Sequence, residues 1–289
     1  MLNKIRQAHK KGKLKKSSVM VLCSTGLVFV MAAGLFLHGA AQSNGSVQVA
    51  TVGKPVTAPV VEQESQPEPT PEEYNPYGVD PTKPMIALTF DDGPSKHTWA
   101  IVDALKSHNA RATFFVLGNR VPSYQAAIDN MLANHNEIGS HSMGHANLAK
   151  LTTDEEIAAQ IRPVDEALQK QHAYTPKLFR VPYGSKNDQV LAVLKAEGKP
   201  YIGWSVDPRD WDVKDKNKVV NHVLANVKDG DIILMHDIYE PTAEAVAELV
   251  PALQEQGYQL VTVSELFQLR GVTPLPGVYY RNVPPQTFE

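Results

Sequence analysis

At 289 residues the chain is long enough for one large domain or two small ones, and its charge is unevenly placed. Seven of the 28 basic residues (Lys4, Arg6, Lys10, Lys11, Lys13, Lys15, Lys16) fall in the first sixteen positions, with no acid among them; the other 21 face 31 acidic residues. An acidic remainder argues against nucleic acid as a partner, because polyanion binding draws on clustered Lys and Arg.

In chain order, the basic segment 1–16 is followed by a stretch with no charged residue until Lys54. Within it, 19–37 reads VMVLCSTGLVFVMAAGLFL, and roughly 20 such residues span a bilayer core. The basic flank predicts a cytoplasmic N-terminus, so 17–38 is expected to be a transmembrane anchor. The alternative is a signal segment cleaved near Gly39-Ala40-Ala41; the run exceeds the roughly 7–15 apolar residues of a signal core. Either reading puts the rest outside the cytoplasm, as a single-pass membrane protein with an exported domain or as a secreted one. The single cysteine, Cys23, lies in the apolar run, so no disulfide supports the exported part. Residues 39–84 are rich in Pro, Val, Gln and Glu, with no aromatic before Tyr74. Such a segment cannot bury a core and is expected to be a disordered stalk.

From Met85 strand and helix patterns alternate. Strands are predicted at 85–90, 113–117, 137–140, 177–181, 201–205, 231–236 and 259–263. Helices are predicted between them, for example at 98–107, 123–133, 154–171, 187–196, 217–227 and 243–256. Alternation of this kind reads as βαβ units around a parallel sheet, either a barrel or a doubly wound sheet. About seven units within 85–270 favour an α/β barrel short of the full eight. The Pro-rich tail, 271–289, is expected to be irregular, lying on the domain or loose.

Polar clusters recur where predicted strands end: TFDDGP, GSHSMGH, FRVPYG, WSVDPRDW and ILMHD. The C-terminal ends of parallel strands converge on one rim, where active sites of such folds lie. Asp91 and Asp92 sit where an apolar strand meets Gly93-Pro94, and neighbouring side chains diverge there. One carboxylate can therefore bind metal while the other faces the substrate. His141 and His145 are four residues apart, a spacing that a helical turn would bring onto one face. Two histidines and a carboxylate form a three-ligand set with a coordination position left open, as in catalytic zinc sites; other divalent first-row metals suit the same donors. Arg180, at a strand end before Pro182, is placed to pair with a carboxylate and keep it ionised. His236 ends an apolar strand beside this acidic rim and is a candidate general acid. Asp207 and Asp210, with Trp211, fit a helix cap or a polar loop equally well.

Residues 85–270 resemble the NodB-type polysaccharide deacetylases, the fourth family of carbohydrate esterases, and in particular those acting on peptidoglycan N-acetylglucosamine. All five family motifs occur in order, with no departure at a motif position: TFDDGP at 89–94, HSMGH at 141–145, RVPYG at 180–184, DPRDW at 207–211 and LMH at 234–236. The resemblance implies a distorted, incomplete (β/α) barrel and a divalent metal, usually zinc, held by Asp92, His141 and His145. It implies that Asp91 is the base acting on the attacking water, that Arg180 holds Asp91, and that His236 protonates the departing amine. A backbone N–H at Tyr183 would help stabilise the oxyanion. An Asp of the fourth motif, assigned to Asp207, would tune His236. Trp211 would form the acetyl pocket, with Pro182, Asp210 and Leu234 completing the substrate site.

The expected function is metal-dependent removal of N-acetyl groups from N-acetylglucosamine in a cell-wall polysaccharide, peptidoglycan first, because anchor and stalk would hold the rim near the wall. The expected partners are an acetylated cell-wall glycan and the membrane. One rival is an O-acetyl polysaccharide esterase of xylan type, which the same site would serve. The other is a non-catalytic wall-binding module, for which an intact base, ligand set and acid would have no use.

Overall fold

The computed structural model describes residue 75 and residues 77–285. The expected anchor at 17–38 and most of the expected stalk lie outside the described residues. No helix among the described residues is long and apolar enough to cross a membrane.

Strand β1 (Met85–Asp91) is buried along its whole length, as expected for a strand covered on both faces. It pairs in parallel with β2 (Thr113–Val116) on one side and β5 (Ile232–His236) on the other. β3 (Glu137–Ser140) extends the sheet beyond β2 to give the order β3-β2-β1-β5, while β6 (Gln259–Leu260) pairs with the start of β1. The register sets Asp91 opposite His236. The expected α/β architecture with a parallel sheet is therefore present.

Three helices show how the core is closed. In α8 (Glu240–Glu255) the buried Val246, Leu249, Val250 and Leu253 form a stripe at helical spacing. With Ile101, Val102 and Leu105 of α1 (Thr98–Ser107) they belong to the same apolar cluster as Leu88 and Phe90 of β1. α2 (Gln125–Ala133) adds Ile128 and Met131 to it.

The remaining elements depart from the sequence pattern in instructive ways. The helix expected at 154–171 is two helices, α3 (Asp154–Ala158), opened by a Thr153–Glu156 capping box, and α4 (Arg162–His172). Pro163 sits in the first turn of α4, where its missing N–H costs nothing; inside one continuous helix it would clash with the preceding turn. α5 (Asp188–Ala196) follows, but the strand expected at 177–181 is reduced to parallel bridges from Phe179 to Ser140 and Tyr201. The strand expected at 201–205 shrinks to β4 (Tyr201–Ile202), and its partner is β7 (Tyr279–Tyr280). The described part of the tail, 271–285, is thus neither loose nor merely apposed: it supplies a strand, and the Val283 N–H donates to the Gly230 carbonyl at 2.8 Å. After β4 come α6 (Asp210–Val213) and α7 (Lys216–Asn226), and a Val206–Ile233 bridge carries the pairing on to β5. The strand expected at 259–263 stops at Leu260, because Thr262 and Glu265 form the capping box of α9 (Val263–Leu269).

The domain also begins earlier than Met85. Val79 is buried in the cluster formed by Met85, Val261 and Phe267, and the Asp80 N–H donates to Gln259 Oε1 at 2.7 Å.

Candidate active site

Asp91 is the last residue of β1, and its buried carboxylate accepts from Arg180 Nη1 at 2.8 Å. The Arg180 guanidinium is fully buried, and each of its three nitrogens is hydrogen-bonded within the fold. Nη1 also reaches Thr89 Oγ1 at 2.7 Å, Nε the Ile202 carbonyl at 3.1 Å and Nη2 the Gly203 carbonyl at 2.8 Å. It lies 4.2 Å over the Phe115 ring. A guanidinium fixed by that many groups leaves the Asp91 carboxylate little freedom to turn. Burial pushes the Asp91 carboxyl up from its ordinary range, against the pull of the Arg180 and His236 charges.

The next residue, Asp92, takes a left-handed φ of 70°. Asp92 Oδ1 lies 3.2 Å from His145 Nε2 and 3.6 Å from His141 Nε2, and one donor atom from each of the three residues falls within 4.8 Å of the others. The His141 tautomer is fixed, because its Nδ1 meets the Arg180 carbonyl at 2.8 Å. A carbonyl only accepts, so Nδ1 carries the hydrogen and Nε2 presents its lone pair to the cluster. Burial lowers the His141 pKa to about 3, which keeps the ring neutral and ready to ligate. Asp92 Oδ1 is buried with no hydrogen-bond partner. A carboxylate oxygen left without a partner costs free energy unless a cation meets it, so the residues fit a divalent metal. Two imidazole nitrogens and a carboxylate oxygen suit zinc and its first-row neighbours.

His141 and His145 meet, but not by the expected helical turn. They lie in a loop after β3 in which Ser142 (φ 71°) and His145 (φ 61°) are both left-handed, and the His145 N–H donates to Ser142 Oγ at 2.9 Å. Asp92, Ser142, His145, Tyr183 and Arg209 are all non-glycine residues at positive φ around one pocket. Such strained conformations persist where the surrounding structure holds them.

His236, ending β5, is held by Asp210 and not by Asp207. Asp210 is the first residue of α6 and is almost fully buried. Its Oδ1 lies 2.8 Å from His236 Nδ1, while Oδ2 accepts from the His236 N–H at 2.8 Å and from Thr242 Oγ1 at 2.7 Å. Asp207 instead accepts from the Arg209 N–H at 2.8 Å, a local turn bond of the kind Asp makes to its own backbone two residues on. The left-handed Arg209 (φ 54°) lies between the two acids, and of the two it is Asp210 that bonds to His236. Burial of His236 opposes protonation, but the hydrogen bond and charge of Asp210, with the charges of Asp91 and Asp92, bring its pKa up to about 9.

These groups open into a pocket of about 440 Å³ whose apolar wall is Val181, Tyr183, Trp204, Trp211, Leu234 and Tyr239; Asp207 also lines it. The Tyr183 ring packs edge-on against His145 at 4.4 Å, and its backbone is left-handed (φ 62°). Pro182 is buried behind it at the start of the same turn. A wider groove of about 820 Å³, between Pro176 and Pro274, holds none of the groups described above. Its one buried lysine, Lys199, is tied to Asp165 at 2.6 Å.

Three residues escape the sequence reading. Trp204 stands inside the WSVDPRDW segment, and Tyr239 follows the LMH motif by three positions. Asp237, next to His236, is fully buried; its carboxylate accepts from Thr98 Oγ1 and its carbonyl from Ser95 Oγ. Burial pushes its carboxyl up to about 7. A β-carbon at Gly93 would collide with both Asp237 carboxylate oxygens. The loop bearing Asp92 and the loop that follows His236 are thereby locked together. Gly93→Ala is expected to lower stability by about 1–3 kcal/mol, the usual cost of overpacking, read as a lower Tm. A Tm equal to wild type would mean that the two loops are free to separate.

A profile described as polysaccharide deacetylase matches residues 78–202. The peptidoglycan-N-acetylmuramic acid deacetylase PdaC of Bacillus subtilis is 42% identical over 193 residues, which are 66% of this chain and 40% of that protein. The chain thus spans about two fifths of the length of this curated relative. The solved structure of PdaC aligns with a TM-score of 0.64 over 67% of this chain and 94% of the solved one. A peptidoglycan-N-acetylglucosamine deacetylase of Bacillus cereus is 38% identical over 203 residues, 68% of this chain and 94% of that protein. A family 4 acetyl xylan esterase of Clostridium thermocellum, solved with a cobalt ion, is 34% identical, with a TM-score of 0.65 over 69% of this chain and 99% of the solved one. The chain belongs to the polysaccharide deacetylase family.

Proposed function

We propose that this chain hydrolyses N-acetyl groups of N-acetylglucosamine residues in a cell-wall polysaccharide, peptidoglycan first, releasing acetate. The observation that carries the reading is the Asp91–His236 register across β1 and β5, with Asp92, His141 and His145 gathered alongside. Amide hydrolysis needs a group to take a proton from water and another to give one to the leaving amine. A carboxylate and a protonated histidine held on adjacent strands supply both.

A divalent cation held by Asp92, His141 and His145 would supply Lewis acidity, polarising the acetyl carbonyl and acidifying water. Asp91, kept in orientation by Arg180, accepts the proton of the attacking water. The Tyr183 backbone N–H donates to the developing oxyanion, a contribution of about 10²–10³ in rate where such donors are preorganised. His236, protonated at neutral pH through Asp210, donates to the departing nitrogen. Trp211 and Leu234, on the apolar wall, receive the acetyl methyl and exclude water from it.

The names of the B. subtilis and B. cereus relatives favour peptidoglycan as substrate; the likeness to an acetyl xylan esterase keeps O-deacetylation as the second reading. The basic-flanked apolar run at 17–38 supports action outside the cytoplasm, with the domain tethered to the cell membrane. The test is acetate release by the full-length, zinc-supplemented protein from N-acetylglucosamine oligomers, peptidoglycan and acetylated xylan. Acetate is expected from the first two. Acetate from xylan alone would overturn N-deacetylation.

A further inference from the structure

The four-residue helix α6 does two things. Its first residue, Asp210, reaches inward to His236, while basic residues flank it at both ends in left-handed conformations, Arg209 (φ 54°) and Lys214 (φ 43°). Both lie over aromatic rings of the pocket wall. The Arg209 guanidinium is 5.3 Å from the Trp211 ring centroid, and the Lys214 ammonium 5.6 Å from that of Tyr239. The Tyr239 ring in turn lies 6.1 Å from the His236 ring. Lys214 is therefore one ring away from the general acid.

The two cations are not equivalent. Arg209 is paired with Asp212 at 2.8 Å, and the nearby Lys216 with Glu248 at 3.0 Å. Asp215 caps α7 by accepting from the Lys218 N–H. Lys214 is exposed and has no carboxylate within ion-pair distance among the described residues. It lies over Tyr239, which lines the same pocket as Asp91, Asp92 and Asp207, on a chain whose residues beyond 16 carry ten more acids than bases. A pocket lined by acids repels an anionic glycan unless a cation offsets the field.

We propose that Lys214 is a specificity-determining residue that receives a carboxylate of the substrate glycan; the proposal rests on the deacetylase reading above. Muramyl residues differ from N-acetylglucosamine by a lactyl group, which ends in a carboxylate or continues into an acidic peptide stem. An ammonium one ring away from His236 meets that substituent while the acetamido group lies between Asp91 and His236. Neutral N-acetylglucosamine oligomers gain nothing from it. The contact is exposed, so its advantage is modest and weakens as salt is added.

The test compares kcat/KM for acetate release by the full-length, metal-loaded wild type with that of Lys214→Gln, Lys214→Glu and Lys214→Arg. Three substrates are used: N-acetylglucosamine oligomers, glycan strands with free lactyl carboxylates, and strands with intact peptide stems. On a carboxylate-bearing strand Lys214→Gln is expected to lose about threefold and Lys214→Glu about tenfold, with Lys214→Arg close to wild type. On neutral oligomers all variants should stay within about twofold of wild type, and the losses should shrink at high salt. Loss on free-lactyl strands assigns the contact to the lactyl carboxylate; loss confined to stem-bearing strands assigns it to the peptide. Equal losses on neutral and acidic substrates, or none on acidic ones, overturn the proposal while leaving the deacetylase reading intact. A wild type that releases no acetate from any of the three overturns both.

Discussion

Asp91→Asn is expected to lower kcat by about 10²–10⁴-fold, the usual worth of a positioned general base. The substitution is nearly isosteric, and an amide oxygen still accepts from Arg180 Nη1, which lies 2.8 Å from the native carboxylate. What is lost is the ability to take a proton. Metal content should not change, because Asp92, His141 and His145 are untouched. Stability should fall, since the fully buried Arg180 loses its counter-charge; breaking a buried pair from one side costs up to about 3–5 kcal/mol. The measurement is kcat on N-acetylglucosamine oligomers, with circular dichroism and metal analysis to establish that the variant is folded and loaded. A folded, loaded variant within about tenfold of wild-type kcat would mean that another group accepts the proton.

The second large effect separates two acids that the sequence presents side by side. His236 donates only when protonated, so activity must decline as pH rises through its pKa, which the Asp210 hydrogen bond and charge, with the charges of Asp91 and Asp92, hold at about 9 against burial. Asp210→Asn removes the Asp210 charge and weakens the hydrogen bond, leaving burial to dominate. The alkaline limb of the kcat profile is therefore expected to move toward or below the ordinary histidine value of 6.5. Each unit of that movement costs about tenfold in rate above the new pKa. Asp207→Asn, whose native carboxylate serves the Arg209 N–H, should leave the limb where it is. If Asp207→Asn moves the limb and Asp210→Asn does not, the assignment of Asp210 as the residue positioning His236 is wrong.

What the sequence reveals of this site follows from how local each feature is. β1 is legible because an apolar run stops at Gly93-Pro94, and its observed end, Asp91, lies one residue past the predicted one. The candidate ligand set is legible because donor chemistry is a property of residue type: Asp92, His141 and His145 converge. Arg180 lies against Asp91 for the same reason, a buried carboxylate wanting a fixed cation. Features that depend on backbone sign are not legible. Spacing cannot reveal that Ser142 and His145 are left-handed, so it suggests a helical turn where the chain forms a loop. Nor can it reveal that Asp210 bonds to His236 while Asp207 is engaged in a local bond to the Arg209 N–H.

Long-range pairing is hidden too. β7 joins β4 from across the chain, and no periodicity in a Pro-rich tail announces it. Asp237 shows a third limit. An acid beside His236 reads as another rim residue, yet it is fully buried against Gly93 and bonded to Ser95 and Thr98. Only the packing of two loops gives it that place.

In the proposed reaction a cation held by Asp92, His141 and His145 works between the base Asp91 and the acid His236. The decisive measurement is acetate release from N-acetylglucosamine oligomers by the full-length protein before chelation, after chelation and after zinc is returned. Release is predicted to fall to the uncatalysed background on chelation and to recover with zinc. An unchanged rate in protein stripped of metal would contradict it.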